Sequence, residues 1–193
     1  ADSVMRALLD QPLQPLPSTE RRMRKSPPPP NGAGVYAIYY RGPFEPYRTI
    51  LERADRELGE DPPIYVGRAT PKGSRKGGMS TLGPLEPVLW ERLREHARSL
   101  DEATNLELTD FECRMLFVDD IFIPLGEHML IERFHPIWNE RLDGFGNHDP
   151  GGRRKSQWRS PWDTVHPGRR WAPKLGDRPE TAAEILETVA RGG

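Results

Sequence analysis

Two short apolar segments each place a tyrosine within two residues of a glycine. One is GVY at 34–36, within the run GVYAIYY, and the other is YVG at 65–67, within PPIYVGRA. Valine, isoleucine and tyrosine favour strands, and a glycine in a strand marks a place where a backbone or ligand approaches closely. If the strands pair in antiparallel fashion, the phenols of Tyr36 and Tyr65 meet over a small cleft suited to anionic chemistry. Each triplet alone is equally typical of ordinary strand packing.

The segment at about 85–100 adds a cation and an imidazole. Its apolar residues recur at spacings of four, four and three, which predicts an amphipathic helix. The apolar stripe consists of Leu89, Leu93, Ala97 and Leu100. Arg92 and His96 are four residues apart on one flank of this stripe and can project together, whereas Arg98 points away. The pair alone is more typical of an exposed helix surface, but together with the two tyrosine strands it favours a functional site.

Glu127 is a carboxylate on the apolar side of a predicted helix. The helix begins near Pro124, which is tolerated in a first turn. In such a helix Glu127 shares a face with Leu130 and Phe134, whereas Glu132 lies on the opposite side. A carboxylate facing apolar surface is costly unless it is paired or binds a metal. The alternatives are therefore a metal ligand and an acid favoured by the helix N-terminus.

Asn139 follows Trp138 at a predicted helix end. An asparagine there commonly caps a helix or forms a turn. Its functional alternative is an amide that holds the Glu127 carboxylate or a phosphate oxygen in place.

The order of these residues is more specific than any one of them. In this order the set resembles the GIY-YIG nucleases over about residues 32–140: two tyrosine strands, a helix with Arg92 and His96, then Glu127 and Asn139. Valine replaces the central isoleucine of both triplets. The segments GFGNHDPGG and WDTVHPGRRWA are similar to small type II restriction endonucleases of that family. The resemblance implies an α+β fold, in which a small central antiparallel three-stranded sheet is flanked by helices.

The resemblance also implies a reaction, the hydrolysis of a DNA phosphodiester bond with one Mg²⁺ ion, for which Mn²⁺ can substitute. Glu127 is then the metal ligand and Tyr36 the general base, with His96 accepting or relaying the proton. Arg92 and Tyr65 donate hydrogen bonds to the phosphate oxygens. A single carboxylate suits Mg²⁺ because this ion keeps most of its water shell.

Composition divides the chain of 193 residues into three parts. Its 21 prolines and 18 glycines concentrate at the two ends, which predicts an N-terminal arm at 1–31, a catalytic core at 32–140 and a loop-rich extension at 141–193 that ends in a helix. The insertion at 42–62 is longer than these nucleases usually carry. Strands are predicted near 34–41, 63–68 and 111–118, and helices near 3–10, 47–59, 85–100, from 124 onwards and at 180–190.

A formal net charge of −1 argues mildly against nucleic-acid binding, but the basic residues are clustered. Clusters at 21–25, 68–76 and 153–159 can form one positive face for phosphates. Solvated surface charge is the alternative. Of the histidines, which lack metal-ligand spacing, His135 precedes a proline turn and His166 is expected in a loop that contacts DNA. The other predicted DNA contacts are Arg68, Lys72, Arg75, Lys76, Asn147, His148, Arg153, Arg154, Lys155 and Arg169.

Cys113 is the only cysteine, which excludes an intramolecular disulfide and a cysteine-rich zinc site. It alternates with Phe111 and Met115 in a predicted strand, so we expect it to be buried. No run reaches the length of a membrane span, and no signal-peptide pattern opens the sequence. These features predict a cytoplasmic protein with no membrane partner.

Three functions fit these observations. A site-specific restriction endonuclease is favoured because the chain is short and shows no repair or homing module; a structure-specific repair or recombination nuclease and a non-catalytic DNA-binding module are the alternatives. Relatives with the GFGNH and HPGR segments cut CCGCGG, so the resemblance implies this sequence, and implies a cognate DNA methyltransferase genetically. We expect a homodimer on double-stranded DNA, in which the arm at 12–31 buries Leu13, Leu16 and Met23 against the second subunit.

Overall fold

A four-stranded antiparallel sheet lies at the centre of the computed structural model, which describes residues 2–19, 28–71, 86–151 and 157–192. The strand order is β1-β4-β2-β3. The strands are β1 (Gln14–Pro15), β2 (Gly34–Tyr40), β3 (Tyr65–Ala69) and β4 (Phe111–Phe117). The helices are α1 (Asp2–Leu9), α2 (Glu45–Leu58), α3 (Val88–Glu102), α4 (Ile123–Phe134), α5 (Ile137–Glu140), α6 (Pro161–Val165) and α7 (Ala182–Arg191).

The predicted α+β fold with a central antiparallel sheet is confirmed, and its three predicted strands are β2, β3 and β4. The count of three strands was too low, because the N-terminal arm adds β1 at the edge beside β4. A strand of two residues is too short to show periodicity in the sequence. Its proline, Pro15, is tolerated because a residue at a sheet edge need not donate a ladder hydrogen bond.

The arm packs against its own chain. Leu16 is buried in the core, so the prediction that its side chain is buried by a second subunit was wrong. Apolar side chains satisfied within one chain are not free for a partner. Leu13 is half-buried and packs against the second apolar cluster, and its contact with a second subunit stays a prediction. Met23 lies outside the described residues.

The sheet separates two apolar clusters, because side chains alternate across a strand. Tyr36, Ile38 and Tyr40 of β2 face the cluster that includes α3 and the C-terminal helices. Val35 and Tyr39 face the cluster that includes α1 and α4. β3 is an edge strand packed by α4 and by α3, so this edge is where side chains from both helices can meet the tyrosine strands.

The insertion at 42–62 folds as α2, which buries Tyr47 and Ile50 and ends at Gly59 in the left-handed conformation. The extension, predicted to be mostly irregular, packs into the main core. Its buried apolar residues there are Leu142, Phe145, Trp162, Val165, Ile185 and Val189. Among the described residues, no helix combines the length and apolar character needed to cross a membrane.

Candidate active site

The two tyrosines of the sequence triplets lie together on one face of the β2–β3 ladder. Tyr36 pairs with Gly67, and Tyr65 pairs with Ile38, which is two residues away along β2. This diagonal places the ring centroids 6.3 Å apart. A side chain at Gly67 would collide with the Tyr36 hydroxyl, so the close approach that a strand glycine indicates is made by the phenol itself.

His96 of α3 forms a hydrogen bond with Tyr36. The Tyr36 Oη and His96 Nε2 atoms are 2.6 Å apart, and both side chains are buried. The imidazole also lies 5.2 Å, centroid to centroid, from the Tyr65 ring. The helical spacing therefore placed His96 correctly at the tyrosine pair, but in the core rather than on a flank exposed to solvent.

Burial keeps this pair uncharged. Desolvation raises the pKa of Tyr36 well above its ordinary value; the neighbouring Tyr65 raises it further, and Arg92 lowers it. Desolvation lowers the pKa of His96 well below its ordinary value, and the charges of Arg92 and Arg169 act in the same direction. A neutral imidazole retains a lone pair on one ring nitrogen and can therefore accept a proton from the phenol.

Arg92 supplies the positive charge beside the tyrosines. Burial raises the pKa of Tyr65, and the Arg92 guanidinium is the leading influence that lowers it. Arg92 donates hydrogen bonds to Glu95 at 2.7 Å and to the Gly146 carbonyl at 2.7 Å, and its Nη1 lies 2.9 Å from the His148 Nε2. The guanidinium is thus fixed from two sides while its charge reaches both phenols.

Glu127 lies half-buried on α4, with 23% of its side chain exposed, whereas Glu132 is 72% exposed. The predicted division of the helix faces is confirmed. The Glu127 carboxylate forms an ion pair with Arg68 of β3 at 3.2 Å. Burial raises the pKa of Glu127 and Arg68 lowers it, so the charge of Arg68 offsets only part of the desolvation.

The donor chemistry at Glu127 fits Mg²⁺. Among the described residues no group of three or more histidines, cysteines and acids could hold a metal ion. A partly desolvated carboxylate gains from a second cation, and Mg²⁺ is commonly bound through one or two carboxylates together with waters and substrate phosphates. Glu127 has the properties that such a site requires of the protein.

Asn139 of α5 binds the backbone of β3. Its Oδ1 accepts a hydrogen bond from the Val66 amide at 2.8 Å, and its Nδ2 donates to the Val66 carbonyl at 2.8 Å. The prediction that this amide holds the Glu127 carboxylate or a phosphate oxygen was therefore wrong for the free protein. Asn139 instead fixes the strand that carries Tyr65.

The predicted DNA contacts divide into several groups. Arg68 pairs with Glu127, and Asn147 and His148 are exposed on the segment next to Arg92. Arg169 is wrong as a surface contact, because its side chain is 1% exposed and pairs with Asp163. Six predicted contacts lie outside the described residues, namely Lys72, Arg75, Lys76, Arg153, Arg154 and Lys155.

Two further histidines have structural environments. His166 is wrong as a DNA-contacting loop residue, because it is fully buried and forms hydrogen bonds with Tyr47 and Asn105. His135 adopts the left-handed conformation at the C-terminal end of α4, before the proline, and its Nδ1 lies 3.0 Å from Glu140. Neither residue contacts the tyrosine pair.

Phe145 is the site residue that sequence reasoning missed. Its ring stacks on the His96 imidazole with centroids 4.5 Å apart and planes inclined by 19°, and it meets the Tyr65 ring edge-on at 5.0 Å. The available signal was an aromatic residue flanked by two glycines in GFGNH, a pattern that favours a tight turn carrying a buried ring. In that segment only Asn147 and His148 were predicted to have a role, as DNA contacts.

A family model described as the Eco29kI GIY-YIG domain matches residues 29–192. The matched region contains both tyrosine strands, the helices that carry Arg92, His96 and Glu127, and the whole of the described extension. No curated protein matches the chain. Since the match covers most of the sequence, the chain belongs to the Eco29kI family of GIY-YIG domains, a family of restriction endonucleases.

Proposed function

We propose that this nuclease is a type II restriction endonuclease that hydrolyses both strands of DNA at a short palindrome, and that its catalytic residues are Tyr36, Tyr65, Arg92, His96 and Glu127. The main support for this catalytic assignment is the 2.6 Å hydrogen bond between Tyr36 and His96. This bond joins a phenol to a neutral imidazole beside a guanidinium, which is an arrangement able to move a proton next to a negatively charged phosphate.

Tyr36 acts as the general base through His96. A free tyrosinate is disfavoured here, because burial raises the pKa of Tyr36. If the phenol passes its own proton to the His96 Nε2 while taking one from water, negative charge never accumulates on the buried oxygen. The lowered pKa of His96 keeps the imidazole neutral, so that its Nε2 has a lone pair for that proton, and the negative charge of a bound phosphate would favour the protonated form.

Water reaches the Tyr36 oxygen only after a rearrangement, because the side chain is fully buried in the free protein. The proposal therefore requires DNA binding to open the cover over the tyrosine pair. Catalytic hydrogen bonds commonly reach their working geometry only in the substrate complex.

Arg92 and Tyr65 stabilise the phosphate as charge develops on its oxygens. A guanidinium donates in a planar fork that matches two phosphate oxygens, and such charge-assisted hydrogen bonds are strong in a partly dehydrated site. Asn139 supports this role because it binds both the amide and the carbonyl of Val66, the residue that follows Tyr65 in the strand.

Glu127 is the proposed ligand for one Mg²⁺ ion, which Mn²⁺ can replace. When bound, a divalent ion neutralises charge on the phosphate and on the leaving oxygen. Arg68 is the partner of Glu127 in the free protein, and it becomes available to a DNA phosphate if a metal takes its place at the carboxylate.

Double-stranded DNA is the proposed substrate, and CCGCGG is the sequence to test first, on the resemblance of the GFGNH and HPGR segments. A homodimer on DNA would cut both strands of this palindrome. A cognate DNA methyltransferase would protect the host, acting separately and not as a subunit.

The test compares three DNA substrates in Mg²⁺ and in EDTA: a plasmid with one CCGCGG site, the same plasmid with that site scrambled, and a four-way junction. The proposal predicts a single linear product from the first plasmid only. Cutting of the junction in preference to either plasmid would assign a structure-specific nuclease. Protein carrying Glu127→Gln, purified in parallel, controls for contaminating nucleases.

A further inference from the structure

The segment Gly144–His148 of the extension contacts three of the proposed catalytic side chains, Tyr65, His96 and Arg92. Phe145 stacks on His96, and the Gly146 carbonyl accepts a hydrogen bond from Arg92 at 2.7 Å. His148 adds a second contact to Arg92. The imidazole and the guanidinium are therefore both oriented by one short stretch of chain outside the helix that carries them.

A buried arginine later in the extension, Arg169, holds that stretch in place. Arg169 donates one hydrogen bond to the Gly144 carbonyl at 3.0 Å and another, short one to the Phe145 carbonyl. Its guanidinium lies over the Trp162 ring, 4.2 Å from the centroid. A planar fork that binds two successive carbonyls fixes both the position and the direction of a backbone, which a single donor cannot do.

A buried acid also faces the Arg169 guanidinium. Asp163 lies 3.5 Å from Nη1, the nitrogen that binds Gly144, and accepts a hydrogen bond from the Ser160 hydroxyl at 2.6 Å. Gly144 has φ +117°, and a side chain there would collide with Ser160. The turn at Gly144 is therefore pressed against the same small helix that anchors the arginine, so the arrangement is rigid at both ends.

We propose that Arg169 is a positioning residue for DNA cleavage, which acts through the backbone of Gly144 and Phe145 to hold the Phe145 ring against His96 and the Gly146 carbonyl on Arg92. This inference rests on the proposed function of His96 and Arg92. It assigns a role in catalysis to a residue that touches neither DNA nor the reacting atoms.

The electrostatics of His96 agree with this geometry. The lowered pKa of His96 arises first from burial, to which the stacked Phe145 ring contributes, and then from the charges of Arg92 and Arg169. Loosening the segment would hydrate the imidazole and favour its protonated form, which cannot accept a proton from Tyr36. Cleavage would then fall at mildly acidic pH while DNA binding persists.

The experiment compares wild type with Arg169→Met, Arg169→Lys, Phe145→Leu and the double variant Arg169→Met/Phe145→Leu. Arg178→Met is the matched control, because Arg178 is a half-buried arginine of the same extension that bonds to the Arg159 carbonyl and to Glu180, away from the segment. For each protein we measure the single-turnover cleavage rate, the Kd for DNA in Ca²⁺, and the titration of the His96 imidazole by NMR.

We expect Arg169→Met and Phe145→Leu each to slow cleavage on the order of 10²-fold with little change in Kd, as is typical of misplaced catalytic groups. The double variant should be no slower than the slower single variant, and Arg169→Lys should recover part of the rate. The His96 titration should move up towards the ordinary value near ~6.5 in both single variants. Arg178→Met should retain the wild-type rate.

Additive losses in the double variant, or an unchanged His96 titration in Phe145→Leu, would overturn the proposal. If Arg169→Met fails to fold, Arg169→Lys gives the result instead, because lysine keeps the positive charge but lacks the planar fork that binds both carbonyls; a wild-type rate in that variant would overturn the proposal. The NMR titration does not depend on cleavage. Failure of the proposed function would be recognised separately, by wild-type rates in Tyr36→Phe and Glu127→Gln.

Discussion

A catalytic role and a purely structural role of the Tyr36 hydroxyl predict different effects on cleavage when the hydroxyl is removed. A purely structural phenol bonded to His96 can lose its hydroxyl with little effect on cleavage, whereas a general base cannot. We expect Tyr36→Phe to slow hydrolysis by ~10² to 10⁴-fold at unchanged Kd for DNA. Single-turnover rates measure this, with Tyr39→Phe as the control because Tyr39 lies on the opposite face of the same strand. A near wild-type rate would leave His96 as the only candidate base.

Glu127 allows a second prediction at the scale of one residue. Glu127→Gln keeps the shape of the side chain but removes the charge, so Mg²⁺-dependent cleavage should be lost while Ca²⁺-supported DNA binding and thermal unfolding change little. Glu132→Gln is the matched control, since it lies on the exposed side of the same helix. Substantial cutting by Glu127→Gln would remove this carboxylate from the site.

Helical periodicity accounts for the placement of His96 and Glu127. Glu127 was identified because a carboxylate on an apolar face has a limited set of explanations, whereas His96 was placed beside Arg92 on the flank of an apolar stripe, and both positions can be counted from the sequence. Asn139 and Arg169 could not be assigned in this way. Each binds backbone atoms of a distant segment, Val66 in one case and Gly144 and Phe145 in the other, and such contacts have no local pattern.

At the scale of elements, a buried hydrogen-bond chain ties α2 to the extension. The Tyr47 hydroxyl bonds to the His166 Nε2, and the His166 Nδ1 bonds to Asn105 at 2.9 Å. Burial lowers the pKa of His166 to about 3, and the charge of Arg169 adds to this effect. The imidazole is therefore neutral in the folded protein at pH values where an exposed histidine is protonated.

The buried, neutral imidazole of His166 predicts that the protein loses stability in mild acid. The unfolded state takes up a proton below its ordinary pKa near ~6.5 and the folded state does not until pH approaches 3, so the free energy of unfolding falls as the pH is lowered through that window. His166 alone should contribute a loss of about 2 kcal/mol between pH 7 and pH 5. Urea unfolding at both pH values measures it, and His166→Gln should remove that part of the pH dependence. An equal dependence in His166→Gln would show that other groups cause it.

Periodicity in the sequence predicted the longer strands and helices but not the shortest ones. β2, β3, β4 and the four longest helices lie within a few residues of their predicted ranges, because alternation or 3.6-residue repeats extended over several turns or pleats. β1 and α6 have two and five residues, and their conformations are set by pairing with β4 and by packing around Trp162. Proline- and glycine-rich composition therefore indicated loops where compact, buried structure exists.

For the whole molecule, the number of active sites decides how a duplex is cut. The described residues contain one Tyr36–His96 pair and one Glu127, so each chain can hydrolyse one strand at a time. The two strands of a palindrome are related by a two-fold axis, and a two-fold dimer presents one site to each strand. Since Leu16 is buried within its own chain, the subunit contact in such a dimer involves other side chains.

We therefore expect two protein chains on each single-site duplex, and a mixing experiment tests this without knowledge of the contact surface. Wild type and Glu127→Gln are combined in varying ratios at constant total protein and allowed to exchange before plasmid and Mg²⁺ are added. In a dimer, a mixed pair nicks one strand only, so linear product should fall as the square of the wild-type fraction while nicked circles rise to a maximum. Sedimentation of the Glu127→Gln complex should give two chains per duplex. A linear fall in product, with one chain per duplex and nicked circles preceding linear DNA even in pure wild type, would instead establish a monomer that releases and rebinds in the opposite orientation.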